Sequence, residues 1–487
     1  MYRKIISLSP LRMATVLFCL FSILVHAEVK LPAIVSSNMV LQRNTTVKLW
    51  GWADANETIT ISTSWLTDNL NVIADDNGDW YINVNTTNSK AAQSIKITSK
   101  TSNIELSNIL FGEVWICSGQ SNMQQPMEGY MGQPTFEGPM TATKAKNRNL
   151  RLFTVERVAS KTPLNDISDY KSWQEATPES VIKFSAVAYF FGQQLQDILD
   201  VPVGLIHTSW GGSTIEAWIS EDILSKYETV AIANSDISKR PQHIPTALFN
   251  AMIHPITNYS IAGALWYQGE SNRKEAKYYE TLFPAMVQDW RDRWNIGSFP
   301  FYFVQIAPFI YSGNDKYQAS ENSAFMRESQ LNCVDLIPNS GIAITLDIGS
   351  KYYIHPPKKK EVADRLLLHA LHQTYGYKSI DHISPLFNEK EEKDGGILLS
   401  FKHADLGLFA FDTLKDFEIA GEDKVFHPAE AKIVDRNKVL VTSSKVLHPK
   451  EVRYCWKNWV TGTLYSTNLL PVSSFRTDSW DNATRAE

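Results

Sequence analysis

The chain has 487 residues, 44% of them apolar, and sets 47 Lys and Arg against 52 Asp and Glu for a formal net charge of −5. A chain of that length buries several cores without a disulfide framework, and its four cysteines are too few to build one. A mildly acidic sequence with no basic stripe excludes nucleic acid as a partner.

Residues 1–27 read as a secretory leader. Arg3, Lys4 and Arg12 precede the apolar stretch Met13 to Val25, and Val25-His26-Ala27 offers a small-residue cleavage site. The stretch is shorter than a membrane span requires. The expectation is therefore an exported protein, periplasmic or extracellular, with no stable membrane insertion after cleavage. Losing those three positive charges moves the net charge from −5 to −8.

Residues 28–108 alternate apolar and polar in Thr46 to Trp52, Glu57 to Ile61 and Ser94 to Ile97, with turn signals at Ala53-Asp54-Ala55-Asn56 and Asp76-Asn77-Gly78. This pattern predicts a small β-sandwich. Over residues 109–384 apolar strands alternate with amphipathic helices. Val201 to Thr208 and Ile261 to Tyr267 read as buried parallel strands, and Ala186 to Leu199 and Tyr278 to Trp294 have helical spacing. That region is expected to form a three-layer α/β/α domain on a parallel sheet. Over residues 385–487 strands return, at Gly396 to Ser400, Lys438 to Thr442 and Glu451 to Tyr454. The fold class is α/β with β domains from both chain ends.

Chemistry concentrates where the α/β strands end. Gly119-Gln120-Ser121-Asn122-Met123 directly follows the apolar run Val114 to Cys117. A strand that stops there and resumes as a helix presents Ser121 at a sharp turn, beside backbone N–H groups with no helical partner. A serine hydroxyl is a weak nucleophile until a base takes its proton, so a histidine and an oxyanion hole are required elsewhere. Trp210-Gly211-Gly212-Ser213 follows one strand, and a glycine there lets a backbone N–H approach a substrate oxygen. Trp266-Tyr267-Gln268-Gly269-Glu270-Ser271-Asn272 follows the next, with an amide able to donate to an oxyanion. Ile354-His355-Pro356, in a loop before the helix-like Glu361 to Leu368, offers a base; His207, His254 and His369 compete, and His254 is the best rival. No Cys/His spacing suited to zinc and no phosphate-cradling loop occurs, so neither metal nor cofactor is predicted.

Taken together these motifs resemble the sialate O-acetylesterase-like carbohydrate esterases of the SGNH hydrolase superfamily. The resemblance rests on Met39 to Arg43, Gly112 to Met123, Ser209 to Gly212 with Ile215 to Trp218, Met252 to Pro255, Trp266 to Asn272, Ile354 to Pro356, Val452 to Tyr454 and Ser474 to Thr477. It implies an SGNH domain flanked by β domains, acting on an O-acetylated sugar or glycan. Carried over by position, Ser121 is the nucleophile and His355 the general base, with oxyanion donors at Ser121, Gly212 and Gln268 and Gly211 a near competitor. Trp210, Tyr267 and Asn272 are candidate substrate contacts.

One departure matters. The family commonly places an aspartate two or three residues before the histidine, where this chain has Tyr353 and Tyr352. Asp347 is the favoured acid to orient His355, Glu270 is the alternative, and a dyad with no carboxylate is the third reading. O-acetylated sialic acids are the expected substrates. Acetylated xylan and a non-catalytic carbohydrate-binding role are the alternatives, the latter favoured only by the missing aspartate.

Overall fold

The computed structural model describes residues 28–228, 235–311 and 322–485, so the leader read over residues 1–27 lies outside them. Internal contacts divide the chain into two units. The smaller comprises residues 50–82 and 95–105 with the segment up to Leu31. In it Thr58–Thr63 pairs antiparallel with Leu70–Ile73 and, on its other side, with the 95–98 segment, and the alternation of these strands buries Ile59, Ile61, Ile95 and Ile97.

The larger unit holds the α/β region. Its central strand, β1 (Asn103–Gly119), enters the unit at Leu106 and runs to Gly119. On one side of β1 lie β4 (Val203–Ser209), β2 (Asn147–Val155) and, antiparallel at the edge, β3 (Tyr170–Ala176). On the other side lie β5 (Gly263–Tyr267), β6 (Phe301–Val304) and β7 (Ser340–Ala343), all parallel. The sheet is thus mixed, with one antiparallel strand added to the parallel sheet that the sequence predicts.

Alternation along the strands builds the layers. Trp115, Cys117, Leu205, Leu265 and Tyr267 face one side, where they pack with Val187, Phe191 and Leu195 of helix α1 (Ala186–Leu199) and Val362 and Leu366 of helix α2 (Lys359–His369). Trp266 faces the other side, meeting Phe283 and Trp290 of the helix Ala276–Trp294 at ring-centroid distances of 6.3 and 5.8 Å. The predicted elements at 186–199, 201–208, 261–267 and 278–294 appear as 186–199, 203–209, 263–267 and 276–294. Towards the C-terminus the chain forms a four-stranded antiparallel sheet that includes Gly396–Lys402 and Lys438–Thr442, and a five-stranded sheet that includes Glu451–Tyr454. Cys117, Cys333 and Cys455 are buried thiols. Among the described residues no helix is long and apolar enough to cross a membrane.

The register sets where the chemistry can sit. Gly119, the last residue of β1, lies level with Ser209 on one neighbour and Tyr267 on the other, so three strand ends finish at one line. Gly119 has φ +134°, and a Cβ there would fall 2.2 Å from the Tyr267 carbonyl oxygen. Gly119→Ala is expected to destabilise the protein by on the order of 2 kcal/mol or more in a denaturant titration; an unchanged midpoint would show that the turn tolerates a side chain.

Candidate active site

Beyond Gly119 the chain makes one extended residue, Gln120, and enters a single helical turn, Ser121–Gln124. The Gln120 N–H donates to the Tyr267 carbonyl at 2.9 Å, and its side-chain Oε1 accepts from the N–H groups of Gly269 and Ser271 at 3.2 and 3.3 Å. The turn is therefore tied to the loop after β5. Met123 and Gln124 bond back to the Gln120 carbonyl, whereas the N–H groups of Ser121 and Asn122 reach no described acceptor. Ser121 is half-buried.

His355 lies in the loop before α2 and is brought to this turn by three contacts. Asn122 Nδ2 donates to the Ile354 carbonyl at 3.1 Å, which holds the residue before the histidine to the residue after the serine. The Tyr130 hydroxyl donates to the Ser121 carbonyl at 3.2 Å, and the same ring meets the His355 imidazole edge-on at 5.0 Å. Gln133 Oε1 accepts from the His355 main-chain N–H at 3.3 Å and from its Nδ1 at 2.9 Å. Because one amide oxygen takes the main-chain proton, the same oxygen requires a proton on Nδ1, and this leaves Nε2 with its lone pair. Neither Nε2 nor the Ser121 hydroxyl bonds to a described residue. Burial, together with the nearby Lys359 ammonium, pushes the imidazole down to about 4.

The acids expected to orient His355 are elsewhere. Asp347 makes two bonds to Arg365, at 2.8 and 2.7 Å, and so fastens the 344–349 turn to α2. Glu270 is buried and accepts from Asn122 Nδ2 at 2.6 Å. Burial raises its carboxyl, and Asn122 and Lys359 oppose that rise. Both assignments are corrected: an amide, Gln133, occupies the position an acid was expected to take. The rival histidines are spoken for as well. His207 pairs with Ser209 at 2.5 Å, His254 Nδ1 with the Leu164 carbonyl at 3.1 Å, and His369 Nε2 with the Ile342 carbonyl at 3.1 Å.

The oxyanion candidates separate in the same way. The Gly211 N–H donates to Gln124 Oε1 at 2.7 Å, and a Cβ on Gly211 would lie 3.3 Å from Ser121 Cβ, so this residue backs the serine turn. The Gly212 N–H, at φ +73°, meets no described acceptor. Gln268 is fully buried, and its amide gives its two protons to the Ser213 carbonyl at 3.0 Å and to Asn272 Oδ1 at 2.7 Å. Reversing that amide would set two oxygens against each other at Ser213, so Gln268 braces the glycine loop and has no proton left for a substrate oxygen. Asn272 is also committed, accepting from the Ile215 N–H and donating to the Glu216 carboxylate. Tyr267 has no exposed surface and lies under the Lys359 ammonium, 5.6 Å from its ring centre. Gln268, Asn272 and Tyr267 are thus corrected from substrate-facing to supporting positions, and Trp210 alone of the expected contacts keeps exposed surface.

Gln133, Tyr130, Asn122 and Lys359 are the residues that sequence reasoning missed. Asn122 and Lys359 stood inside or beside motifs already noted, but a helix-capping residue and a solvated lysine are the ordinary readings of such neighbours. Gln133 and Tyr130 lie in a loop with no motif at all. Among the described residues no group of three or more His, Cys, Asp or Glu side chains could hold a metal ion.

The chain is similar to known carbohydrate esterases. Residues 111–355 match the model of a carbohydrate esterase family described as sialic acid-specific acetylesterase. Mouse sialate O-acetylesterase is 28% identical over 428 residues, covering 76% of this chain and 78% of the mouse protein. The human sialate O-acetylesterase is 33% identical over 311 residues, covering 58% of this chain and 57% of the human one. A crystal structure of a carbohydrate acetylesterase from Xanthomonas citri superposes with a TM-score of 0.84 at 33% identity, over 93% of this chain and all of that one. With its strand-end serine turn, its α/β sheet and matches of this extent, the chain belongs to the sialic acid-specific acetylesterase family of carbohydrate esterases.

Proposed function

We propose that this esterase is an exported serine hydrolase that removes O-acetyl groups from sugars, with O-acetylated sialic acids as its preferred substrates. The observation that carries the reading is the convergence of Ser121 and His355. Asn122 and Tyr130 fasten the serine turn to the histidine loop, and the Gln133 contact leaves Nε2 able to take a proton.

The chemistry is a two-step acyl transfer. Ser121 Oγ attacks the acetyl carbonyl carbon while His355 Nε2 takes the hydroxyl proton, and the carbonyl π pair moves onto oxygen. The N–H groups of Ser121 and Gly212 receive that oxyanion. As the tetrahedral intermediate collapses, the bond to the sugar oxygen breaks and His355 returns its proton to that oxygen. Water then repeats the cycle on the acyl-serine and releases acetate. Gln133 keeps the imidazole in the required tautomer, and Trp210 offers an indole face to the sugar.

Preference for sialic acids rests on the family description and on the names of the mouse and human relatives. Acetate release from a panel of O-acetylated sialic acids and acetylated xylo-oligosaccharides tests it. Faster turnover of the xylo-oligosaccharides would overturn the sialic acid assignment and leave the esterase reading intact.

Ser121→Ala is expected to keep the fold and lose acetate release by on the order of 10^4-fold or more; near-normal turnover would remove Ser121 as nucleophile. Gln133→Ala is expected to reduce kcat roughly 10^2-fold by freeing the ring to rotate and change tautomer, and to reduce it more than Asp347→Asn does. The reverse ranking would return the orienting role to Asp347. Since a protonated imidazole cannot act as base, kcat/KM is expected to hold through the neutral range and fall as the pH drops towards about 4. A half-activity point near the ordinary histidine range, in a steady-state pH profile, would contradict a buried base.

A further inference from the structure

Helix α2 opens on Lys358, Lys359 and Lys360, at the end of a helix where positive charge is disfavoured. Lys360 meets Asp364 one turn along at the surface. Lys359 is fully buried instead, and a buried lysine needs a reason. Its Nζ donates to Asn122 Oδ1 at 2.5 Å and sits 5.6 Å from the centre of the Tyr267 ring. Asn122 in turn gives one Nδ2 proton to Glu270 and the other to the Ile354 carbonyl. The amide therefore has no freedom: Lys359 fixes its oxygen, and that fixes which way its two protons point. One of those protons carries the loop on which His355 stands.

We propose that Lys359 is a positioning residue of the deacetylation site: through Asn122 it clamps the serine turn to the His355 loop, and its charge sets the acidic limit of turnover. The inference rests on the assignment of Ser121 and His355 as nucleophile and base. The charge acts from a fully buried position that Asn122 ties to the carbonyl of the residue before His355, so a proton on the imidazole is opposed by a neighbour of like sign. The other groups facing this pair are few. Glu270 faces Lys359 across Asn122, with no direct ion pair between them, and Tyr267, Tyr279 and Tyr311 surround Glu270. Arg273 lies over Tyr311. On the far side His355 meets Gln133 and Tyr130, and Arg157 acts on Tyr130. Burial brings the Lys359 ammonium down to about 7, with Glu270 holding it up, so the charge is present throughout the acidic range where it matters.

The test is a set of kcat/KM pH profiles on the full-length enzyme, with folding checked by thermal melting. Lys359→Met removes both clamp and charge and is expected to lower kcat and move the acid edge upward by about one pH unit. Lys359→Gln can still donate to Asn122 but has no charge, so its edge is expected to move by a similar amount with a smaller loss of kcat. Lys359→Arg keeps the charge and is expected to keep the wild-type edge. Should the large core substitutions unfold the protein, NMR titration of the His355 imidazole in Ser121→Ala and in Ser121→Ala/Lys359→Gln gives the same shift without turnover. An acid edge and an imidazole titration unmoved in the Gln variant would overturn the proposal. If Ser121→Ala or His355→Ala retained activity, the nucleophile and base assignment itself would fail, and the two failures are told apart by those single variants.

Discussion

Everything at the sheet edge depends on the close approach of two backbones, Gly119 against Tyr267. The central strand ends level with both its neighbours, and the next amide, Gln120 N–H, continues the ladder by donating to the Tyr267 carbonyl while Trp210 N–H donates to the Gly119 carbonyl. With two hydrogen bonds fixing its direction and no side chain to hold it off, the chain turns within one residue, and Ser121 emerges between the loops that follow β4 and β5. A side chain at Gly119 would separate the strands and swing the hydroxyl away, so backbone geometry positions the serine before any catalytic contact is made.

The loops around the serine are held by polar side chains that bond to one another and to the glycine loop. Gln268 gives its two protons to the Ser213 carbonyl and to Asn272 Oδ1, Asn272 gives its own to the Glu216 carboxylate, and Trp218 Nε1 adds a bond to the Ser213 hydroxyl at 2.9 Å. Hydrogen bonds buried in this way are strong and hold the groups they join in place. The glycine loop is consequently braced from beneath, which suits the proposed role of the Gly212 N–H in receiving a developing charge without moving. Sequence alone suggested the opposite use for the same amides, because an Asn or Gln near a serine motif reads as a donor to substrate until its partners are known.

How much of this was legible follows from which signals are local. Ala186–Leu199 is a helix by its own spacing, and the apolar runs at β4 and β5 are long enough to be strands regardless of context. Ser121 and His355 stood in motifs with enough neighbours to be picked out. The partner of His355 was not legible, because orientation of a ring is settled by whichever acceptor the fold delivers to Nδ1. Asp347 is the nearest acid before His355 in the chain, yet the guanidinium of Arg365 makes a bidentate pair with it that an imidazole cannot match. Gln133 carries no charge to mark it and lies more than 200 positions from the histidine it serves. The edge strand Tyr170–Ala176 was missed for a related reason: half-exposed, with a register shift in its pairing, it lacks the apolar run that marked its parallel neighbours.

An amide in place of a carboxylate changes what His355 can do as the proposed base. An aspartate on Nδ1 selects the tautomer and also stabilises the imidazolium that forms when the serine proton arrives. Gln133 selects the tautomer and adds no charge to oppose burial and the Lys359 ammonium, which keep the imidazole neutral to low pH and make it a weaker proton acceptor. The carboxylate in the immediate surroundings is Glu270, and Asn122 stands between it and the histidine loop while also holding Lys359. One amide thus links a buried acid, a buried amine and the loop of the base. On the proposed mechanism the charge balance of the site is carried by that three-residue unit, where a triad would carry it on the ring itself, and the pH response would follow from the unit as much as from the histidine.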